Sequence, residues 1–154
     1  LVDSVADAGV IIWPDIMSLR PAFRQMGRRL AASGYSVLVI NPYYRVTRAP
    51  VIPVGAGASF HGGGLVTDGP DSPHLLIPTM QAHYLFAIAE NDDANEPDAK
   101  NVLRESFASA GLPAEIEVYD GTLHGWCPPD SHVYHEPQAE RAWNRLLALF
   151  ETAV

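Results

Sequence analysis

Two carboxylates and one histidine follow the last two predicted strands of this sequence. Asp92 and Asp93 come just after the apolar segment His83–Ala89, and His124 lies in the turn that follows the segment Glu115–Tyr119. A histidine so placed can take a proton from a nucleophile, while a carboxylate fixes its tautomer and stabilises the imidazolium that forms. The order of acid and then histidine, each after a late strand, therefore indicates general-base catalysis of acyl transfer.

Apolar runs and helical periodicities alternate along the chain and predict the framework around these residues. The predicted strands are Val10–Trp13, Tyr35–Ile40, Val54–Phe60, His83–Ala89 and Glu115–Tyr119, and the predicted helices are Arg20–Ala32, Pro97–Ala110 and Glu136–Glu151. The first two strands are expected to be buried, whereas Thr67–Pro78 predicts a loop and Glu90–Pro97 a polar turn. This alternation predicts an α/β fold with a mostly parallel sheet, whose site lies beyond the carboxyl ends of the strands.

The net charge, the apolar runs and the cysteine count of the sequence argue against several classes of function. The net charge of −8 argues against a nucleic-acid partner, because nucleic acids are bound by basic surfaces. The sequence contains no run of about 18 apolar residues, so no membrane span is predicted. The single cysteine, Cys127, excludes an internal disulfide and fits a cytoplasmic location.

Several segments, in order along nearly the whole chain, resemble the dienelactone hydrolase family. They are Gly9–Ile16, Arg28–Leu38, Ser59–Gly64, Ala89–Asp93, Tyr119–Trp126 and the closing helix around Ala139–Trp143. Each motif is short, and the specificity of the resemblance comes from their order.

The resemblance implies an α/β-hydrolase fold over a single domain of residues 1–154, with a mostly parallel sheet in a three-layer sandwich and helices on both faces. It implies a hydrolase of carboxylic esters or lactones that forms an acyl-enzyme with a Cys-His-Asp or Ser-His-Asp triad. In that triad His124 is the base and Asp92 the acid, with Asp93 as the fallback. Asp15 matches an acidic position near the nucleophile, and the backbone N–H of Ile16 matches an oxyanion donor. No cofactor or metal is expected, and the expected partner is a small-molecule ester or lactone bound by a monomer or homodimer.

The nucleophile elbow of this family, G-x-C-x-G or G-x-S-x-G, is missing from the sequence. In the family it stands between the strands that match Tyr35–Ile40 and Val54–Phe60. Here only Asn41–Pro53 joins those strands, barely the dozen or so residues that a parallel crossover needs, and it has no helical pattern. We therefore expect the central nucleophile strand and its helix to be absent, through a block of some tens of residues that is deleted or omitted between about Arg48 and Val54.

Three other features could contribute to acyl transfer, and each has a simpler interpretation. Ser59 lies in a near match to a serine elbow, but His61 stands where the elbow needs a small glycine. The segment His61–Gly64 resembles the oxyanion loop of esterases, although a strand exit near the site is the better interpretation. Cys127 lies three residues after His124, and a lone thiol is more often a small buried hydrophobe.

Metal-dependent hydrolysis has weaker support. His132 and His135 could form half of a metal site, but the surrounding prolines and the lack of a third ligand nearby indicate a surface loop. Asp15, Asp92 and His124 do not have the local ligand spacing of a known metal motif.

Two alternatives therefore stay open. Family members that bind anionic dienelactones have an arginine shortly after the His-Gly pair, where this sequence has Cys127–Asp130, so a neutral ester or lactone is equally plausible. The chain could also be a catalytically inactive relic that binds small molecules or dimerises, since loss of a central strand exposes apolar sheet surface.

Overall fold

A computed structural model of the chain describes residues 9–14, 21–40 and 55–153. The chain divides into two compact units, Leu1–Ile52 and Pro53–Val154. A single domain over 1–154 stays a prediction, and the expected missing block between Arg48 and Val54 falls outside the described residues.

Residues 9–14 and 21–40 of the first unit form two parallel strands and one helix. Strand β1 spans Gly9–Ile12, helix α1 spans Pro21–Ala32 and strand β2 spans Ser36–Val39. The strands pair from Gly9 opposite Ser36 to Ile12 opposite Val39. Helix α1 packs on one face of this pair so closely that a Cβ atom at Gly27 would lie 2.6 Å from Cγ2 of Val39.

The expectation that both strands are buried is wrong for one face of this sheet. Ile11 and Leu38 are paired neighbours, and each is 58% exposed, while Trp13 is 68% exposed. Successive side chains of a strand point to opposite faces, and α1 covers only the face that carries Ile12 and Val39. A continuous apolar sequence does not indicate which of the two faces of the strand is covered in the fold.

The second unit is built on three parallel strands. Strand β3 spans Ala56–Phe60, β4 spans His83–Ala89 and β5 spans Ala114–Tyr119, in the order β3-β4-β5. Its helices are α2, Glu90–Asn95, α3, Ala99–Ala110, and α4, Glu136–Ala153, together with a 3₁₀ helix at Pro73–Thr79.

Both faces of this three-stranded sheet carry a hydrophobic cluster, which gives the unit three layers. The cluster beneath α4 consists of Ala87, Ala89, Tyr119, Trp126 and Ala142. The cluster beneath α3 and the 3₁₀ helix consists of Ile77, Leu103, Phe107 and Ile116, with Tyr84 and Phe86 packed against it. Alternate residues of β4 therefore serve opposite clusters, as the pleat of a strand requires. These features confirm the predicted α/β class, with parallel strands and helices on both faces of the sheet.

Two predicted loops contain helical turns. The predicted polar turn Glu90–Pro97 begins with α2, and the predicted loop Thr67–Pro78 ends in the 3₁₀ helix. Asparagine and aspartate disfavour helix interiors, so a six-residue segment rich in both has no helical signature. Acidic residues in its first turn are favourable beside the positive end of the helix, and Glu90 also contacts the next loop. No helix among the described residues is long and apolar enough to cross a membrane.

Candidate active site

The register of β4 and β5 brings the predicted acid and histidine to the same edge of the sheet. Ala89, the last residue of β4, pairs with Tyr119, the last residue of β5. Because both strands end side by side, α2 at the end of β4 and the loop after β5 begin next to each other. Asp92 and His124 lie in these two segments.

Asp92 and His124 are in direct contact. Oδ2 of Asp92 lies 2.9 Å from Nδ1 of His124. The aspartate side chain is 19% exposed and the histidine side chain 56% exposed. With the Nδ1 proton donated to the carboxylate, the neutral ring has its lone pair on Nε2, free to accept a proton from another group.

Asp93 has a different partner. Nζ of Lys100 lies 2.6 and 2.8 Å from the two oxygens of Asp93 and also donates to the carbonyl of Pro97. This ion pair joins α2 to the start of α3. Of the two neighbouring carboxylates, Asp92 is therefore the one in contact with His124, while Asp93 is bound by a cation.

The loop that carries His124 is tied to α2 by further hydrogen bonds that the sequence did not predict. Gly121 N–H donates to the carboxylate of Glu90, and His124 N–H donates to Oδ1 of Asn91 at 2.8 Å. Glu90 N–H donates to Oγ1 of buried Thr122, whose hydroxyl donates to the carbonyl of Tyr119 at 2.6 Å. The only sequence signal for these contacts is that Glu90 and Asn91 directly precede Asp92.

His61 brings a second imidazole to the site. Its ring centroid lies 4.8 Å from that of His124, edge to face. The residue follows β3 with a φ of 46°, which is uncommon for a residue other than glycine, and its N–H donates to the carbonyl of Ala87 at 2.8 Å. The interpretation of His61–Gly64 as a strand exit near the site agrees with this position.

A small cavity adjoins the acidic side of the site. Its volume is about 90 Å³, and its lining includes Gly62, Asp92, Asp93 and Lys100. Small-molecule sites usually have volumes of roughly 300–1,000 Å³. This cavity alone is therefore too small for a typical substrate.

Neither of the two candidate nucleophiles, Cys127 and Ser59, has the properties that nucleophilic attack requires. Burial raises the pKa of the Cys127 thiol well above its usual range, which disfavours the reactive thiolate. Cys127 packs against the cluster beneath α4, in agreement with its interpretation as a small hydrophobe. Ser59 lies within β3, opposite Phe86, whereas an elbow nucleophile sits on a sharp turn after its strand.

The remaining predicted site residues are either elsewhere or outside the described residues. His135 lies just before α4, where Nδ1 accepts a hydrogen bond from the N–H of Gln138. Within residues 9–14, 21–40 and 55–153, no group of three or more His, Cys, Asp or Glu side chains is arranged to hold a metal ion. Asp15 and Ile16 fall outside these ranges.

An acid–histidine pair at the carboxyl edge of a parallel sheet, with helices on both faces, is the arrangement of an α/β-hydrolase-like protein. The sequence model of the dienelactone hydrolase family matches residues 46–154, which is more than two thirds of the chain. The chain therefore belongs to the dienelactone hydrolase family. The matched range leaves out β1, α1 and β2.

One solved structure extends the comparison to the first unit. It is that of a protein from Klebsiella pneumoniae subsp. pneumoniae MGH 78578, provisionally assigned as a dienelactone hydrolase. The two chains superpose with a TM-score of 0.78 and 20% sequence identity, over 96% of this chain and 89% of the other. At this identity the likeness shows the fold alone. No curated protein sequence matches this chain significantly.

Proposed function

We propose that this protein hydrolyses carboxylic esters or lactones through an acyl-enzyme, with His124 as the general base and Asp92 as the carboxylate that orients it. The observation that carries the proposal is the 2.9 Å contact between Asp92 Oδ2 and His124 Nδ1 beyond two neighbouring parallel strands. Membership of the dienelactone hydrolase family supports hydrolysis as the reaction class.

The proposed reaction has two halves that use His124 in the same way. A serine or cysteine gives its proton to Nε2 as it attacks the carbonyl carbon of the substrate. The imidazolium then protonates the leaving oxygen as its bond to carbon breaks, which leaves an acyl-enzyme. In the second half water gives a proton to Nε2 and attacks the acyl carbon, and the nucleophile departs with that proton. Asp92 stabilises the imidazolium in both halves and stays ionised.

The proposal puts the nucleophile on a segment that this sequence lacks. No G-x-C-x-G or G-x-S-x-G elbow occurs in the 154 residues. Cys127 is disfavoured by the raised pKa of its thiol and Ser59 by its place inside a strand.

An uncharged substrate fits the charges around the site better than an anionic one. The cavity beside Asp92 is lined by the carboxylates of Asp92, Asp93 and Glu96, and its cation, Lys100, is bound by Asp93. The whole chain has a net charge of −8, which also disfavours anions. We therefore favour a neutral ester or lactone as the substrate, hydrolysed in the cytoplasm, where a lone thiol such as Cys127 stays reduced.

The test of this function is ester hydrolysis by protein and variants expressed from the complete natural gene, which includes any segment that the present sequence omits. With p-nitrophenyl acetate as substrate, His124→Ala should lower turnover by about 10⁴-fold or more, as loss of a triad residue does elsewhere. His132→Ala removes an exposed histidine outside the site and serves as the matched control. A His124→Ala variant as active as the parent would refute the proposal.

A second candidate function is a catalytically inactive relic that dimerises or binds small molecules. The exposed side chains Ile11, Trp13 and Leu38 favour it, because an uncovered apolar sheet face promotes self-association. A relic would not react with a fluorophosphonate and would react with iodoacetamide only slowly, at Cys127. Analytical ultracentrifugation of the same sample would show a dimer that Leu38→Lys disrupts.

A further inference from the structure

Three consecutive side chains of α2 bind the loop that carries His124. The Glu90 carboxylate accepts from Gly121 N–H, Oδ1 of Asn91 accepts from the N–H of His124 at 2.8 Å, and Oδ2 of Asp92 lies 2.9 Å from the His124 ring. Asn91 and Asp92 thus bind the same residue, one at its backbone and the other at its side chain.

Hydrogen bonds and the edge-to-face contact with His61, rather than burial, orient this histidine. The His124 side chain is 56% exposed, so the protein interior cannot fix its ring as it fixes the fully buried Trp126 nearby. The imidazole ring can contact Asp92 only if the Cα atom of His124 stays in place. Among the described residues, the side chain that binds the His124 backbone is Asn91.

The chemistry of an amide suits this task. An asparagine oxygen accepts a hydrogen bond from a backbone N–H, so it can hold the His124 backbone in place. Glu90 holds the same loop three residues earlier, at Gly121, where the φ of 72° allows the turn. The two contacts together keep the loop from sliding along α2.

We propose that Asn91 is a positioning residue for His124: its hydrogen bond to the His124 backbone keeps the imidazole against Asp92 with Nε2 free to accept a proton. This inference rests on the proposed function, because it gives the acid–base pair its geometry. Displacement of a reacting group by about 1 Å can cost on the order of 100-fold in rate. Loss of the Asn91 acceptor should therefore act mainly on turnover.

The first readout does not depend on activity. Long-range ¹H–¹⁵N correlation spectra distinguish Nδ1–H from Nε2–H histidine tautomers. Neutral His124 should be the Nδ1–H tautomer in the parent and a mixture of both in Asn91→Ala. Asn91→Asp keeps an acceptor oxygen and should restore the parent tautomer. Asn101→Ala removes an exposed asparagine that binds only within α3, at Arg104, and should change nothing.

The second readout is steady-state ester hydrolysis by the same variants. Asn91→Ala should lower kcat by about 10–100-fold with little change in KM, and Asn91→Asp should recover most of the loss. A parent-like tautomer and kcat in Asn91→Ala would overturn the proposal, as would a failure of Asn91→Asp to restore either. The two proposals fail separately: full activity of His124→Ala refutes the function, whereas the tautomer in Asn91→Ala reports on the positioning role whether or not the protein hydrolyses esters.

Discussion

Asp92 and His124 lie 32 positions apart in the sequence, and a 2.9 Å contact joins Oδ2 of the first to Nδ1 of the second. The contact follows from the register of β4 and β5, in which Ala89 pairs with Tyr119. Helix α2 begins directly after β4, and His124 lies close behind the end of β5, so the neighbouring strand ends bring the two side chains together. The same register explains why Glu90 and Asn91 reach the loop that holds His124.

The two adjacent carboxylates should differ sharply in their effect on turnover. Asp92→Asn should lower kcat by about 10⁴-fold, because it weakens the orientation of His124 and the stabilisation of the imidazolium. Asp93→Asn should cost less than about tenfold, since Asp93 is bound to Lys100. Steady-state ester hydrolysis compares them. A larger loss in Asp93→Asn than in Asp92→Asn would reverse the assignment of the acid.

Cys127 should be unreactive in the folded protein. Burial raises its pKa, so iodoacetamide at pH 8 should label it far more slowly than it labels the urea-unfolded chain. The folded state holds the thiol proton more tightly than the unfolded state does. The free energy of unfolding should therefore fall as the pH rises above the unfolded thiol pKa of about 8.5. Denaturant titrations from pH 7 to 10 measure this fall.

The control for this prediction is Cys127→Ala, which cannot titrate at that position. Its free energy of unfolding should fall less between pH 8.5 and pH 10 than that of the parent. Equal slopes, or labelling of the folded protein as fast as of the unfolded chain, would show that the thiol is accessible and would reopen it as a nucleophile.

Tyr119→Phe should stabilise the protein. The Tyr119 side chain is fully buried and stacks on Trp126, and no group in the described part of the chain forms a hydrogen bond with its hydroxyl. An unpaired buried polar group costs roughly 1–3 kcal/mol, so its removal should raise the free energy of unfolding by about 1 kcal/mol or more. Urea denaturation at pH 7 measures the difference. A less stable variant would mean that the hydroxyl has a favourable interaction in solution.

Alkaline titration of the parent offers an independent check on the same residue. Burial, with a smaller contribution from nearby Glu117, raises the pKa of Tyr119 to about 12. The tyrosinate absorbance should therefore include one late-ionising group that is missing from Tyr119→Phe. Because the pKa is raised in the folded state, ionisation of Tyr119 should lower the free energy of unfolding only above about pH 10, the pKa of an unfolded tyrosine.

The strands and long helices could be predicted from the sequence because their apolar patterns are strong. The helices α1, α3 and α4 bury the predicted apolar faces, and Gly111 ends α3 in the left-handed conformation that glycine favours. The helical turn α2 could not be predicted, since its polar residues are held by contacts with a loop some 30 positions away.

The sequence predicted which residue types form the candidate site and which strand ends carry them, but it did not predict the individual contacts between them. Strand order indicated that an acid and His124 would meet, but the choice of Asp92 over Asp93 rested on the family resemblance alone. That distinction depends on Lys100, whose distance from Asp93 is fixed only when α2 and α3 are folded. The roles of Glu90, Asn91 and Thr122 depend on backbone positions in the loop after β5, which no periodicity encodes.

The most direct test of the central claim is the intact mass of the natural protein after brief exposure to p-nitrophenyl acetate and acid quenching. The account predicts a mass above the 16.7 kDa of these 154 residues, a single acetyl group on a serine or cysteine outside them, and no acetyl group in His124→Ala. A protein of 16.7 kDa without an acetyl group, or one acetylated equally well in His124→Ala, would contradict an acyl-enzyme served by His124.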